Sequence, residues 1–187
     1  AGTARNRGWR AARGAHPAIV MRGYGADEPL VHARLAPAIP VVVNANRFEA
    51  IERAERRGAD VAVLDDAFQH RAVARVADVV LISADAPDGN DRLLPSGPYR
   101  EPPESLRRAS LVIVTRKAAS ADRARTVASR ATRVASHVPV AIVRLALDTV
   151  HTRTGPPAPL ASLRGRRVLA IAGVGNAAAF GEQLGQA

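Results

Sequence analysis

The sequence predicts an α/β fold organised around a doubly wound, mostly parallel sheet. Aliphatic, β-branched runs of four to six residues recur at 18–21, 39–43, 61–64, 78–83 and 111–115. These are continuous apolar runs, as expected for strands buried on both faces. Helix-like segments separate several of them at short spacing, which is the βαβ pattern of a parallel sheet.

Taken in order, residues 1–16 carry Arg5, Arg7, Arg10 and Arg13 among Ala and Gly, compatible with a basic helix or a loose arm. Ala18–Met21 is the first strand. It runs into Arg22-Gly23-Tyr24-Gly25, whose glycines permit a tight turn close to a ligand. Asp27-Glu28-Pro29 then precedes a helical stretch from Leu30 to Leu35, with the proline suited to a first turn. Ile39–Val43 is a second strand and Arg47–Arg57 a helix that Gly58 ends. The third strand leads to Asp65-Asp66-Ala67-Phe68-Gln69-His70-Arg71, followed by a short connection and a strand over Asp78–Ser83.

Residues 84–103 hold five prolines and two glycines, so a long loop is expected there, and such loops are usually functional. Beyond it the pattern predicts a helical turn or two over Glu104–Ala109 and a strand over Leu111–Thr115. A basic-faced helix over Ala119–Ser136 and a strand over Val138–Leu147 leaving the domain follow. Thr154-Gly155-Pro156-Pro157-Ala158-Pro159 reads as a linker. Arg167–Ala172 is a last strand, Gly173-Val174-Gly175-Asn176 a turn, and Ala177–Leu184 a helix. The domain plan is a main domain over 1–147, a linker over 148–166 and the beginning of a second, smaller α/β domain over 167–187.

Composition narrows the function classes. The net charge is +10, carried by 26 Arg and the single Lys117, while aromatic residues make up 3% of the chain. Basic charge without interleaved aromatics argues against a base-stacking nucleic-acid surface and favours an anionic lipid surface or a phosphorylated substrate. Cysteine is absent, excluding disulfides and thiolate metal sites, and the cytoplasm is the expected compartment. No apolar run reaches the ~20 residues a membrane-spanning helix needs. His137 and His151 have no metal-ligand spacing and read as solvated or structural.

Ligands of open α/β sheets lie beyond the carboxyl ends of the strands, where Asp65 and Asp66 fall. Adjacent carboxylates repel, and a divalent cation is the usual solution, as in the Walker B arrangement that holds Mg²⁺ in phosphate-transferring enzymes. Equally open on spacing alone, Asp66 caps a helix and Asp65 pairs with an arginine. Asp27 can be a plain helix cap and His70 a packed or capping histidine. Arg100 sits on a proline-stiffened arm suited to bidentate phosphate contact, or it pairs with Glu101 at the surface.

Val63-Leu64-Asp65-Asp66-Ala67-Phe68-Gln69-His70-Arg71 resembles the Asp-Asp-Gly-Phe-Gln-His signature of the tetraacyldisaccharide 4′-kinases of the lipid A pathway, with Ala67 in place of the glycine. Three more blocks match that family in the same order. They are Arg22-Gly23-Tyr24-Gly25 with Asp27-Glu28-Pro29, then Gly89-Asn90 with Leu94 through Pro102, and Ala172-Gly173-Val174-Gly175-Asn176. The resemblance implies a P-loop NTPase type of sheet, ATP and Mg²⁺ as cofactors, and a tetraacylated glucosamine disaccharide phosphate, the lipid A precursor, as substrate. It places the protein peripherally at the cytoplasmic face of a Gram-negative inner membrane, with no nucleic-acid partner expected.

By the same resemblance Asp27, Asp66 and His70 are catalytic, Asp65 and Asp66 hold the metal, and Gln69, Arg100 and Glu28 bind substrate or phosphate. No Gly-x-x-x-x-Gly-Lys-[Ser/Thr] run, the Walker A loop, occurs in the sequence, and Gly2-Thr3 reads as its worn end. Impaired activity of this chain is therefore expected. The alternative from another class is a non-catalytic nucleotide- or anion-binding module.

Overall fold

A computed structural model describes residues 14–23, 25, 27–86, 92–97, 99–174 and 176–186. The expected basic arm, Gly2-Thr3, Tyr24, Gly89-Asn90, Pro98 and Gly175 lie outside them. The chain forms two compact units, Ala1–Arg75 and Val76–Ala187. The fold is α/β with parallel sheets, compatible with the P-loop type that the resemblance implies.

In the first unit, β1 (Pro17–Met21) lies between β2 (Val41–Val43) and β3 (Val61–Leu64), and both neighbours run parallel to it. Every residue of β1 is buried, because both of its faces are covered. Ala18 and Val20 point to one side, where they pack with Val42 and with Ala50 and Ala54 of helix α2 (Arg47–Arg56). Ile19 and Met21 point to the other and meet Ile39. Helix α2 starts where Asn46 accepts the Phe48 N–H at 3.0 Å, and Glu49 accepts from the side chains of both Asn44 and Asn46. Helix α1 (Asp27–Leu35) begins three residues before the expected start, taking Asp27 and Glu28 into its first turn, where carboxylates suit the positive end of the helix dipole.

In the second unit β5 (Leu111–Arg116) lies between β4 (Val79–Ser83) and β6 (Val140–Arg144), all parallel. The strand expected to leave the domain is thus β6, a full member of this sheet. Helix α3 (Ala121–Val134), capped by Ser120, lays Ala124 on Val114 and Ala84. Pro103–Arg108 is a 3-10 turn, and His137 Nε2 lies 3.1 Å from the Arg107 carbonyl, a structural use of that histidine. Within the expected linker, β7 (Thr149–Val150) and β8 (Ala158–Pro159) pair antiparallel. Helix α4 (Ala177–Gly185) is tied to the end of β6 by Gln183, whose side chain donates to Leu145 O at 2.6 Å and accepts from Leu147 N.

One expected element does not form. Residues 166–173 have no regular structure, and Leu169 and Ile171 are 86% and 85% exposed. Apolar β-branched composition makes a strand only when a neighbour takes up its hydrogen bonds, and among the described residues none does.

Candidate active site

The carboxyl end of β3 carries the acidic pair. Leu64 is the last residue of the strand, and the Asp65 N–H still donates to Val20 O at 3.0 Å, so the ladder holds the Asp65 backbone rigidly beside β1. The chain then turns sharply at Asp66, whose φ of 47° makes it the non-glycine residue with left-handed backbone among the described residues. Asp is one of the few side chains that visit this region, at roughly 1–2 kcal/mol, and such positions gather at functional sites. The left-handed position belongs to Asp66 and not to Ala67. Ala67 therefore fits the place of the signature glycine without backbone strain, with its methyl group buried at 7% exposure.

Asp65 is held on both oxygens. Oδ1 accepts the Asp66 N–H at 3.1 Å, and Oδ2 lies 3.1 Å from Nε2 of His32, on α1. Among the described residues the side chain that meets Asp65 is not an arginine, as the alternative expected, but the imidazole of His32. His32 is 14% exposed at the side chain although α1 has no buried residue, so it is the inward-turned polar group of that helix.

Past the acids, the turn is pinned from its own backbone. The His70 N–H donates to Ala67 O at 2.9 Å, and Arg75 Nη1 reaches back to His70 O at 2.6 Å and Val73 O at 3.1 Å. His70 Nε2 is buried and has no hydrogen-bond partner among the described residues. A buried imidazole nitrogen left without a partner is costly in an ordinary core, and such an atom calls for an explanation by strain, ligand or function. Gln69 is exposed at the same turn.

Asp27 and Glu28 are exposed in the first turn of α1, and Asp27 and His32 sit about 7.5 Å apart along its axis at 1.5 Å per residue. The first unit thus carries Asp27, Glu28, Asp65, Asp66, Gln69 and His70, with α1 and β3 joined through His32 and Asp65. Arg100 is exposed in the second unit. Glu101, beside it, takes a two-pronged contact from Arg108, at 3.0 and 2.8 Å.

The donor set fits Mg²⁺. Among the described residues no three His, Cys, Asp or Glu side chains converge on one point, which is unsuited to an all-protein cage. Mg²⁺ is commonly held by one or two carboxylates, with substrate phosphates and waters completing its octahedron. Asp65 and Asp66 are hard oxygen donors of that number, the set that would hold such an ion.

Sequence reasoning missed three residues. His32 stands alone in an apolar helical stretch and gives no motif. Arg75 acts through its reach to backbone carbonyls, which spacing does not reveal. Asp85 could have been found, because it follows the carboxyl end of β4 as Asp65 follows that of β3. Its carboxylate accepts the N–H groups of Lys117, Ala118 and Ala119 at 2.7, 2.8 and 2.8 Å. Burial pushes the Asp85 carboxyl up, but these three amides and the nearby Lys117 charge outweigh it and hold it below the ordinary value. Asn176, of the second glycine turn, spends its side-chain oxygen on capping α4 through Ala179 N at 3.0 Å.

Comparison with known proteins gives the same direction as the signature. Residues 26–187 match the family described as tetraacyldisaccharide-1-P 4′-kinase. The chain is 39% identical over 201 residues to the tetraacyldisaccharide 4′-kinase of Anaeromyxobacter dehalogenans (strain 2CP-C), covering 91% of this chain and 51% of the relative. The protein of that name from Syntrophus aciditrophicus is 42% identical over 127 residues, covering 54% and 34%, and that from Nitrobacter winogradskyi 34% over 188 residues, covering 89% and 51%. The chain spans about half the length of the first and third of these relatives. No solved structure matches. With the family match extending over most of the chain and including the acidic signature, the chain belongs to the tetraacyldisaccharide-1-P 4′-kinase family.

Proposed function

We propose that this chain carries the metal-binding and acceptor-activating part of a lipid A 4′-kinase. In that reaction the 4′-hydroxyl of a tetraacyldisaccharide 1-phosphate takes the γ-phosphoryl group of ATP. The sugar oxygen forms the new bond to phosphorus, the bond to the β–γ bridging oxygen breaks, and ADP leaves. Asp27 accepts the hydroxyl proton from the start of α1. Asp65 and Asp66 would hold Mg²⁺, which when bound would offset the negative charge of the nucleotide phosphates. Glu28, Gln69 and His70 orient acceptor or nucleotide by hydrogen bonds, with the unpartnered His70 Nε2 as the atom in need of a ligand. Arg100 meets phosphate charge. The main P-loop-like domain, the linker and the start of a second domain keep the proposed limits of 1–147, 148–166 and 167–187.

A charge of +10 supports peripheral contact with an anionic membrane face on the cytoplasmic side of the inner membrane, and no helix of the described residues is long and apolar enough to cross it. The sequence holds no Walker A run to grip the phosphates. Each preorganised donor lost from a site of this type costs about 3–4 kcal/mol, so we expect this chain by itself to turn over little substrate.

The observation that carries the reading is the rigid acidic pair at the end of β3, with Asp66 in left-handed backbone. Calorimetric titration with ATP and Mg²⁺ tests it, comparing the chain with Asp66→Asn. Metal-dependent binding that the variant loses supports the reading. Equal heats from both chains, or none, overturn it. Robust turnover of a lipid A precursor by this chain would overturn the expectation of impairment alone.

A further inference from the structure

We propose that His32 is a positioning residue for the metal-binding carboxylate of Asp65. This inference rests on the reading above and adds to it a residue that no signature contains. His32 Nε2 lies 3.1 Å from Asp65 Oδ2, within the range of an N–H···O hydrogen bond, and with the proton on Nε2 the imidazole donates to the carboxylate. The other oxygen, Oδ1, is fixed by the Asp66 N–H. The plane of the carboxylate is therefore set at both ends. Each oxygen keeps a second lone pair, and the group is 35% exposed, so a cation can still reach it.

The chemical type of the partner matters. An arginine on Asp65 would place a permanent positive charge against an incoming dication. An imidazole can donate the same hydrogen bond with no formal charge, holding the ligand without consuming the charge that attracts the metal. His32 also belongs to the helix that begins at Asp27, so the same contact ties the element bearing the proton acceptor to the strand bearing the metal ligands. Groups that orient a metal-ligating carboxylate from outside the coordination shell typically govern affinity by about 10–100-fold.

The test is Mn²⁺ binding to the full chain, followed by the electron paramagnetic resonance of free Mn²⁺, alongside thermal melts. Asp65→Asn is expected to abolish binding. His32→Ala is expected to weaken it by about 10–100-fold. His32→Gln, whose amide nitrogen reaches the place of Nε2, is expected to keep near-native affinity. His32→Asn, whose amide nitrogen stops at the place of Nδ1, is expected to behave like His32→Ala. A role confined to stability would move the melts and leave this Gln/Asn contrast absent. Should His32→Ala fail to fold, the Gln/Asn pair decides alone. Native affinity in His32→Asn, with Asp65→Asn inactive, overturns the proposal and leaves the kinase reading standing. Mn²⁺ binding that Asp65→Asn does not affect, or none in the wild type, overturns both.

Discussion

Gly23 and Val43 approach so closely that a Cβ added to Gly23 would lie 2.3 Å from Val43 Cγ1. Gly23 also has a φ of 81°, in the left-handed region, so two independent constraints demand glycine at the exit of β1. Gly23→Ala is expected to cost about 2–3 kcal/mol, from backbone strain plus displacement of Val43 from the strand beside it. Urea unfolding monitored by circular dichroism checks this. A cost below 1 kcal/mol would show that the turn readily takes another shape.

Asp66 separates backbone tolerance from chemistry. Asn tolerates left-handed backbone nearly as well as Asp, whereas a β-branched side chain does not. Asp66→Asn should therefore melt close to wild type while losing metal-dependent nucleotide binding. Asp66→Val should lose the same binding and about 1–2 kcal/mol of stability as well. Equal melting of the two variants would indicate that the turn relaxes out of the left-handed region.

Much of this was readable in advance, and the exceptions have physical causes. β1 is a continuous aliphatic run because a parallel strand covered on both faces does not alternate, and a buried strand of that kind announces itself. The acidic pair stood out because two adjacent carboxylates at a strand end need a reason. Arg167–Ala172 has the same aliphatic look but, among the described residues, no partner strand, and partners are not a property of the segment itself. The His32–Asp65 contact joins residues 33 apart through the placing of α1 against β3, which no local pattern encodes.

Asp85 gives a prediction with a defined pH window. Its carboxylate gathers three amides of the loop after β5, and its pKa lies below the ordinary value in the folded chain. A group whose pKa is depressed on folding contributes stability that is present above its unfolded pKa and is lost as pH falls through the folded one. At neutral pH, Asp85→Ala should destabilise the second unit by about 2 kcal/mol, the scale of hydrogen bonds to a charged acceptor. The gap between variant and wild type should begin to narrow below about pH 4, the unfolded value, and close as pH falls through the lower folded one. Thermal melts at pH 7, 5 and 3 measure it, and a gap that does not change with pH would mean the amides do not depend on the ionised form.

Gly97 sets the shape of the loop that carries Arg100. A Cβ there would lie 2.2 Å from the Arg92 carbonyl oxygen, a backbone atom that cannot rotate aside as a side-chain end could. The loop closes on itself through Gly97 N–H to Leu93 O at 3.0 Å and Leu94 N–H to Tyr99 O at 2.8 Å. Gly97→Ala is thus expected to open the loop while leaving the sheets intact, because few core residues lie within it. Trypsin should then cut after Arg92 and Arg100 faster in the variant, by about tenfold for each 1.4 kcal/mol by which opening becomes easier, while the global melt shifts by less than about 1 kcal/mol. Unchanged cleavage would show that the loop absorbs a methyl group at no cost, and the glycine of this block would then need another explanation.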